Sequence, residues 1–237
     1  MQTFVTMLAL LPWTDWAALV WFFAAWAGYA RFAKRRSLVQ PSVLAASNRI
    51  RRQWMLATTR REVRVIDGVV VQNLSVSPSF FASTTILIIG GLLAVLGAGD
   101  KATDLARELP FAARTTGLVF DLKLLLLTAV FVYSFFRFTW SLRQYTFGAL
   151  LVAAAPEASE FAAEGGPSRE AFADRAGRVV GLAAEAFNDG LRGYYMAFAA
   201  IGWFVSPPVF MLATAGVVYI LYRREFRSEV LEALRGF

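Results

Sequence analysis

Two residue types are missing from this chain altogether. With no cysteine and no histidine, it can have no disulfide, thiol redox chemistry, Cys or His zinc site, bis-histidine haem or cysteine-held iron–sulfur cluster. Every Ser–His or Cys–His catalytic arrangement goes with them. The sequence also lacks a Gly-x-Ser-x-Gly nucleophile elbow, a Walker-type phosphate loop and a zincin motif. A Ser–Lys dyad survives formally, through Lys123 with Ser83, Ser134 or Ser141. No catalytic residue, cofactor or metal site is expected.

Charge is also scarce, at 17% of residues, while 57% are hydrophobic. The apolar residues gather into stretches close to the roughly 20 residues that cross a bilayer core of about 30 Å. The net charge of +7 is concentrated in one place: Arg31 to Ile66 holds ten basic residues against Glu62 alone. A nucleic-acid partner is not expected, because the excess is a single loop between apolar stretches and the positive-inside rule puts such a loop in the cytoplasm.

A first span is expected from about Pro12 to Ala30, with Trp13, Trp16, Trp21, Trp26 and Tyr29 as interfacial anchors. The basic residues Arg31, Lys34, Arg35 and Arg36 follow the apolar run rather than precede it, which predicts a retained span with its amino terminus outside. In Asn48 to Asp67, Ile50, Trp54, Ala57 and Arg61 share a helical stripe and Arg49, Arg52, Arg60 and Arg64 lie on others, a pattern that fits an interfacial helix. The second span is expected at about Phe80 to Ala98, after Pro78. Its small residues Ser79, Ser83, Gly90, Ala94 and Gly97 line one face, suited to close helix packing, while Ser83, Thr84 and Thr85 are the candidates for a polar pore wall.

The loop from Gly99 to Arg114 carries acids and bases in balance and is expected outside. A third span should start near Thr115, stay apolar to about Trp140 and continue toward Ala155. It contains Asp121, Lys123 and Arg137. Asp121 and Lys123, two residues apart, point about 200° away from each other on a helix, so each needs a partner elsewhere, and Asp15 is the candidate for Lys123. A proton or ion relay and a structural ion pair both fit. Arg137 is expected to snorkel to headgroups. A turn at about Ala154 to Ser168 leads, with Ser168 as cap, into an amphipathic helix through Asp189.

The last apolar region, Gly193 to Tyr222, is about 30 residues long and is broken at Ser206, Pro207 and Pro208. A hairpin there leaves Arg223, Arg224 and Arg227 inside, as the charge rule requires, but gives arms of only about 14 residues; a single kinked span puts them outside.

The runs Asn48-Arg49-Ile50-Arg51-Arg52-Gln53-Trp54-Met55, Phe80-Phe81-Ala82-Ser83-Thr84 and Gly190-Leu191-Arg192-Gly193-Tyr194-Tyr195, followed by Trp203 and the prolines, resemble the domain of unknown function 599 family. So do Lys123, the run Trp140 to Tyr145 and the run Leu221 to Phe226. The resemblance, to a family with bacterial and plant members, implies a helical membrane protein and supplies no activity. Arg49, Trp54, Ser83, Lys123, Arg143, Arg192 and Trp203 are the matched candidate positions.

The expected fold is all-α: a polytopic helical membrane protein with four principal hydrophobic segments, the last broken by proline, or five crossings if it turns back. Residues 1–237 are expected to form one membrane domain, with a basic cytoplasmic loop at 31–78 and a cytoplasmic helical projection at about 141–190. The expected place is the bacterial inner membrane, with the amino terminus outside and the carboxyl terminus in the cytoplasm. The first functional reading is a non-enzymatic scaffold or accessory subunit engaging anionic lipid, a membrane-protein partner or a second copy. The alternative is a small-solute or ion channel or transporter, and the third a membrane-embedded enzyme. Candidate intramembrane polar residues are Asp15, Ser83, Asp121 and Lys123. Candidate lipid or partner contacts are Arg49, Arg52, Trp54, Arg60, Arg64, Arg143 and Arg192.

Overall fold

The computed structural model describes residues 11–37, 39–99 and 116–234, and among them every regular element is a helix. They are α1 (Trp13–Arg36), α2 (Val43–Thr58), α3 (Val65–Gly97), α4 (Gly117–Ala153), α5 (Ala158–Ala162), α6 (Arg169–Val205), α7 (Pro207–Phe226) and α8 (Glu229–Leu234). Past Gly99, the expected outer loop lies outside the described residues. Two helices, α3 and α4, are long and apolar enough to cross a membrane. Helix α1, rich in Trp and Ala and basic at its end, falls short of that measure.

Helix starts follow local chemistry. The Ser42 hydroxyl accepts from the Ala45 amide at 3.1 Å at the start of α2. The Ser168 hydroxyl accepts from the Ala171 amide at 3.2 Å before α6, and Ser228 does the same for Leu231 at 3.2 Å before α8. Helix α3 is longer than expected: it starts at Val65 and runs through Pro78. Proline in a helix interior lacks the amide and crowds the preceding turn, at a cost of about 3 kcal/mol, so the apolar residues around it must hold the helix together. The amphipathic segment after Ser168 and the apolar segment after Gly193 are one helix of 37 residues, α6.

The break at Ser206 is a helix start. Ser206 accepts from the Val209 amide at 3.3 Å, and Pro207 takes the first helical position, where a missing amide costs nothing. The chain folds back there. A Cβ placed on Gly202 would lie 3.3 Å from the Phe210 Cα and from the Val209 carbonyl oxygen, whereas eight residues of one helix span about 12 Å along its axis. A side chain at Gly202 would press on this reversal, which explains the glycine.

The chain forms two compact units. Unit 1 holds residues 1–36, 85–134 and 192–223. Its core packs Ala18 and Phe22 of α1, Leu127 and Val130 of α4, Met196, Ala200 and Trp203 of α6 and Phe210 of α7. Helix directions follow from paired contacts. On α6, Trp203 meets Asp15 and Arg192 meets Tyr29, while Phe204 meets Phe120 and Tyr194 meets Phe131. So α1 and α4 run opposite to α6. Trp21 meets Met211 and Phe32 meets Tyr222, so α7 runs parallel to α1.

Unit 2 holds residues 37–84, 135–191 and 224–237. There the second half of α4 and the first half of α6 pack antiparallel: the Ser141 hydroxyl donates to the Ala183 carbonyl at 2.7 Å, and Arg137 pairs with Asp189 at 2.5 Å. Helix α2 lies against α6, with Met55 buried beside Ala173, Ala176 and Val180. Helix α8 packs on α2 and buries Leu231.

Candidate functional site

In unit 1 three polar side chains from three helices meet in the apolar core. Lys123 on α4 is 2% exposed and Asp15 on α1 is 6% exposed. Trp203 on α6 stands with both: its indole N–H donates to Asp15 Oδ1 at 2.6 Å, and its ring lies 5.6 Å from the Lys123 ammonium. The Phe204 ring faces the same ammonium at 5.8 Å, and the Asp15 carboxylate acts on its charge. A cation desolvated to this degree needs an anion or aromatic faces nearby, and Lys123 has both. Phe210 stacks on Trp203 at 5.6 Å and closes the cluster. Asp121, on another face of α4, is half-buried.

Trp203 is the member that sequence reasoning did not assign to this site. A buried tryptophan N–H wants an acceptor, and Asp15 offered one, but 188 residues separate them.

The hydroxyls near this region serve the backbone or each other. Ser134 donates to the Val130 carbonyl at 2.9 Å, Thr84 to the Phe80 carbonyl at 2.9 Å, and Thr85 shares a hydrogen bond with the Tyr194 hydroxyl at 2.7 Å. Ser83 is exposed while Thr85 is buried, so the two point to different surroundings. Ser134 and Ser141 lie about 16 and 27 Å along α4 from Lys123 at 1.5 Å per residue, which leaves neither within reach of a Ser–Lys dyad.

Unit 2 places the basic residues of the loop. Asp67, fully buried, accepts from the Trp54 indole at 2.7 Å, from the Thr58 hydroxyl at 3.0 Å and from Arg61. Its Oδ2 is buried without a hydrogen-bond partner among the described residues. Arg64 donates to the carbonyls of Ala155 at 2.6 Å, Pro156 and Thr58 at 3.3 Å. Arg169 donates to the carbonyls of Thr59 and of Ala158 at 3.0 Å. These two arginines satisfy carbonyls left over at or just past the ends of α2 and α4 and at the start of α5. Trp54 and Arg64 are therefore engaged inside unit 2.

Arg52 pairs with Asp174, which raises its guanidinium pKa above the ordinary value through the hydrogen bond and the charge. Arg51 donates to Asn48 at 2.8 Å; burial lowers its pKa, and Tyr145 and Glu185 pull it back up. Arg137 pairs with Asp189 at 2.5 Å, because α6 brings a carboxylate within reach. Arg192 lies 5.8 Å over the Tyr29 ring. Arg49, Arg60 and Arg143 are exposed, the last over Phe147 at 5.6 Å.

The family model described as "Protein of unknown function, DUF599" matches residues 17–230. The chain belongs to the DUF599 family. The match spans Trp203, Lys123 and the whole arginine network of unit 2; Asp15 lies two residues before it. No curated protein and no solved structure matches this DUF599 chain.

Proposed function

We propose that this DUF599 protein is a multi-pass protein of the bacterial inner membrane that works as a non-enzymatic scaffold or accessory subunit. In this reading α1, α3, α4, the last part of α6 and α7 make five crossings. The amino terminus lies outside, the Arg31 to Arg64 region lies in the cytoplasm, and anionic lipid or a protein partner docks on the basic side. The fold-back at Ser206 supports the count, since α7 with its 20 residues reaches about 30 Å at 1.5 Å per residue. Continuation of α6 toward its amino terminus lengthens the arm that looked short.

The observation that carries the scaffold reading over transport is the closure of Lys123, packed under Trp203 and Phe204 beside Asp15. A relay needs its groups to meet water or a moving ion, and this cluster is packed with aromatic rings instead. On the outside, only 11% of the most apolar stretch of α3 is buried, which leaves it for lipid or another chain.

The test is reconstitution in liposomes. The wild type should show ion and solute flux no higher than protein-free vesicles, and neutralising Arg49, Arg60 and Arg143 should lower retention of anionic lipid or of a co-purifying partner. Wild-type flux that Lys123→Ala abolishes in a still-folded protein would establish transport instead.

A further inference from the structure

We propose that the groove between α1 and α7 seats an acyl chain of an anionic phospholipid, with the phosphate held by the basic ends of the two helices. The inference rests on the membrane reading above. The groove has a volume of about 510 Å³, is floored by Ala25, Gly28 and Ala215, and is walled by Trp21, Phe32 and Tyr222. That volume falls within the roughly 300–1,000 Å³ of ligand pockets, and the lining is almost wholly apolar, as an alkyl chain requires.

Its length matches one leaflet. From Trp21 to Phe32 the helix rises about 16 Å, close to half of the roughly 30 Å hydrocarbon core. At the deep end the Trp21 indole donates to the Met211 carbonyl at 3.2 Å and ties α1 to α7. At the shallow end the rings of Phe32 and Tyr222 stand 6.3 Å apart.

Charge identifies the occupant. Because α1 and α7 are parallel, Lys34, Arg35 and Arg36 of α1 come to the same end as Arg223 of α7, and all four are exposed. Arg36 lies 5.8 Å over the Phe32 ring. Guanidinium groups at the mouth of an apolar groove complement a phosphate with a hydrocarbon tail. A second copy related by a twofold axis along the membrane normal would set this basic cluster against its own image, a repulsive arrangement.

The test uses the full chain reconstituted in vesicles of equal phosphatidylglycerol and phosphatidylcholine, re-extracted in mild detergent, with retained lipid counted per protein by mass spectrometry. Gly28→Phe fills the groove, and a Cβ there meets nothing within 4 Å, so the backbone has room for it. Gly91→Phe on α3, equally unobstructed, is the control. The wild type and Gly91→Phe should retain phosphatidylglycerol over phosphatidylcholine by about tenfold or more; Gly28→Phe should lose that lipid, and Arg35→Gln with Arg223→Gln should lose the preference. Equal retention by Gly28→Phe and wild type overturns the proposal, as does a Gly28→Phe protein that loses a dimer while keeping its lipid. A wild-type chain released from membranes by alkaline extraction contradicts the membrane reading itself, whereas an integrated chain without lipid preference contradicts only this site.

Discussion

Lys123 and Asp15 carry opposite charges among aromatic rings, and removing either leaves the other without its counter-charge. Losing one of two neighbouring buried charges leaves the other less compensated, while replacing both by well-fitting uncharged groups can be nearly neutral. Asp15→Asn alone should therefore lower the thermal midpoint in detergent more than Asp15→Asn combined with Lys123→Met. Equal midpoints for the single and double variants would dissociate the two side chains. Asp67 allows a second comparison. Asp67→Ala leaves the Trp54 indole and the Thr58 hydroxyl without this acceptor and should cost about 1–3 kcal/mol. Trp54→Phe removes one donor only and should cost less, as read from detergent melting curves. The sequence marked Lys123 and Asp15 because ionisable groups in apolar runs stand out. It did not mark Asp67, whose value comes from being buried where α2 and α3 meet, or Arg169; it marked Arg64 as a candidate lipid or partner contact, not as the donor to backbone carbonyls that it is here.

Helices in this protein are longer than their apolar portions, and that explains what could be read in advance. The apolar run of α4 with its continuation toward Ala155 and the cap at Ser168 were visible, and Ser206-Pro207-Pro208 was visible as a break, though not as the helix start it is. The first 15 residues of α3 were hidden because Pro78 normally argues against a helix interior and the preceding residues are not uniformly apolar. Helix α2 looked interfacial because its amphipathic pattern is the same whether lipid or protein covers it; here α6 does. The contact is close: a Cβ on Gly177 would fall 3.0 Å from the Arg52 Cα, backbone that cannot rotate away. Gly177→Ala should therefore destabilise the protein by about 1–3 kcal/mol through overpacking. Gly91→Ala, with nothing within 4 Å, should be neutral or stabilising by up to about 1 kcal/mol. Melting the two variants side by side checks the close approach of α2 to α6.

At the scale of the molecule, the chain folds back at Ser206, the arrangement that the charge rule asks of the last apolar region. In unit 1, Asp15, Trp203 and Ser206 gather at one end of the helices, while Arg31 to Arg36, Arg192 and Arg223 gather at the other. That polarity agrees with the positive-inside rule only if the last apolar region turns back. Absence of native cysteine makes the direct measurement clean: single cysteines at Ala98 and Glu229, both exposed, probed in intact cells with a membrane-impermeant maleimide. Five crossings with an outside amino terminus predict that Ala98→Cys labels from outside and that Glu229→Cys labels only after the membrane is opened. Labelling of both from outside in intact cells would contradict the account.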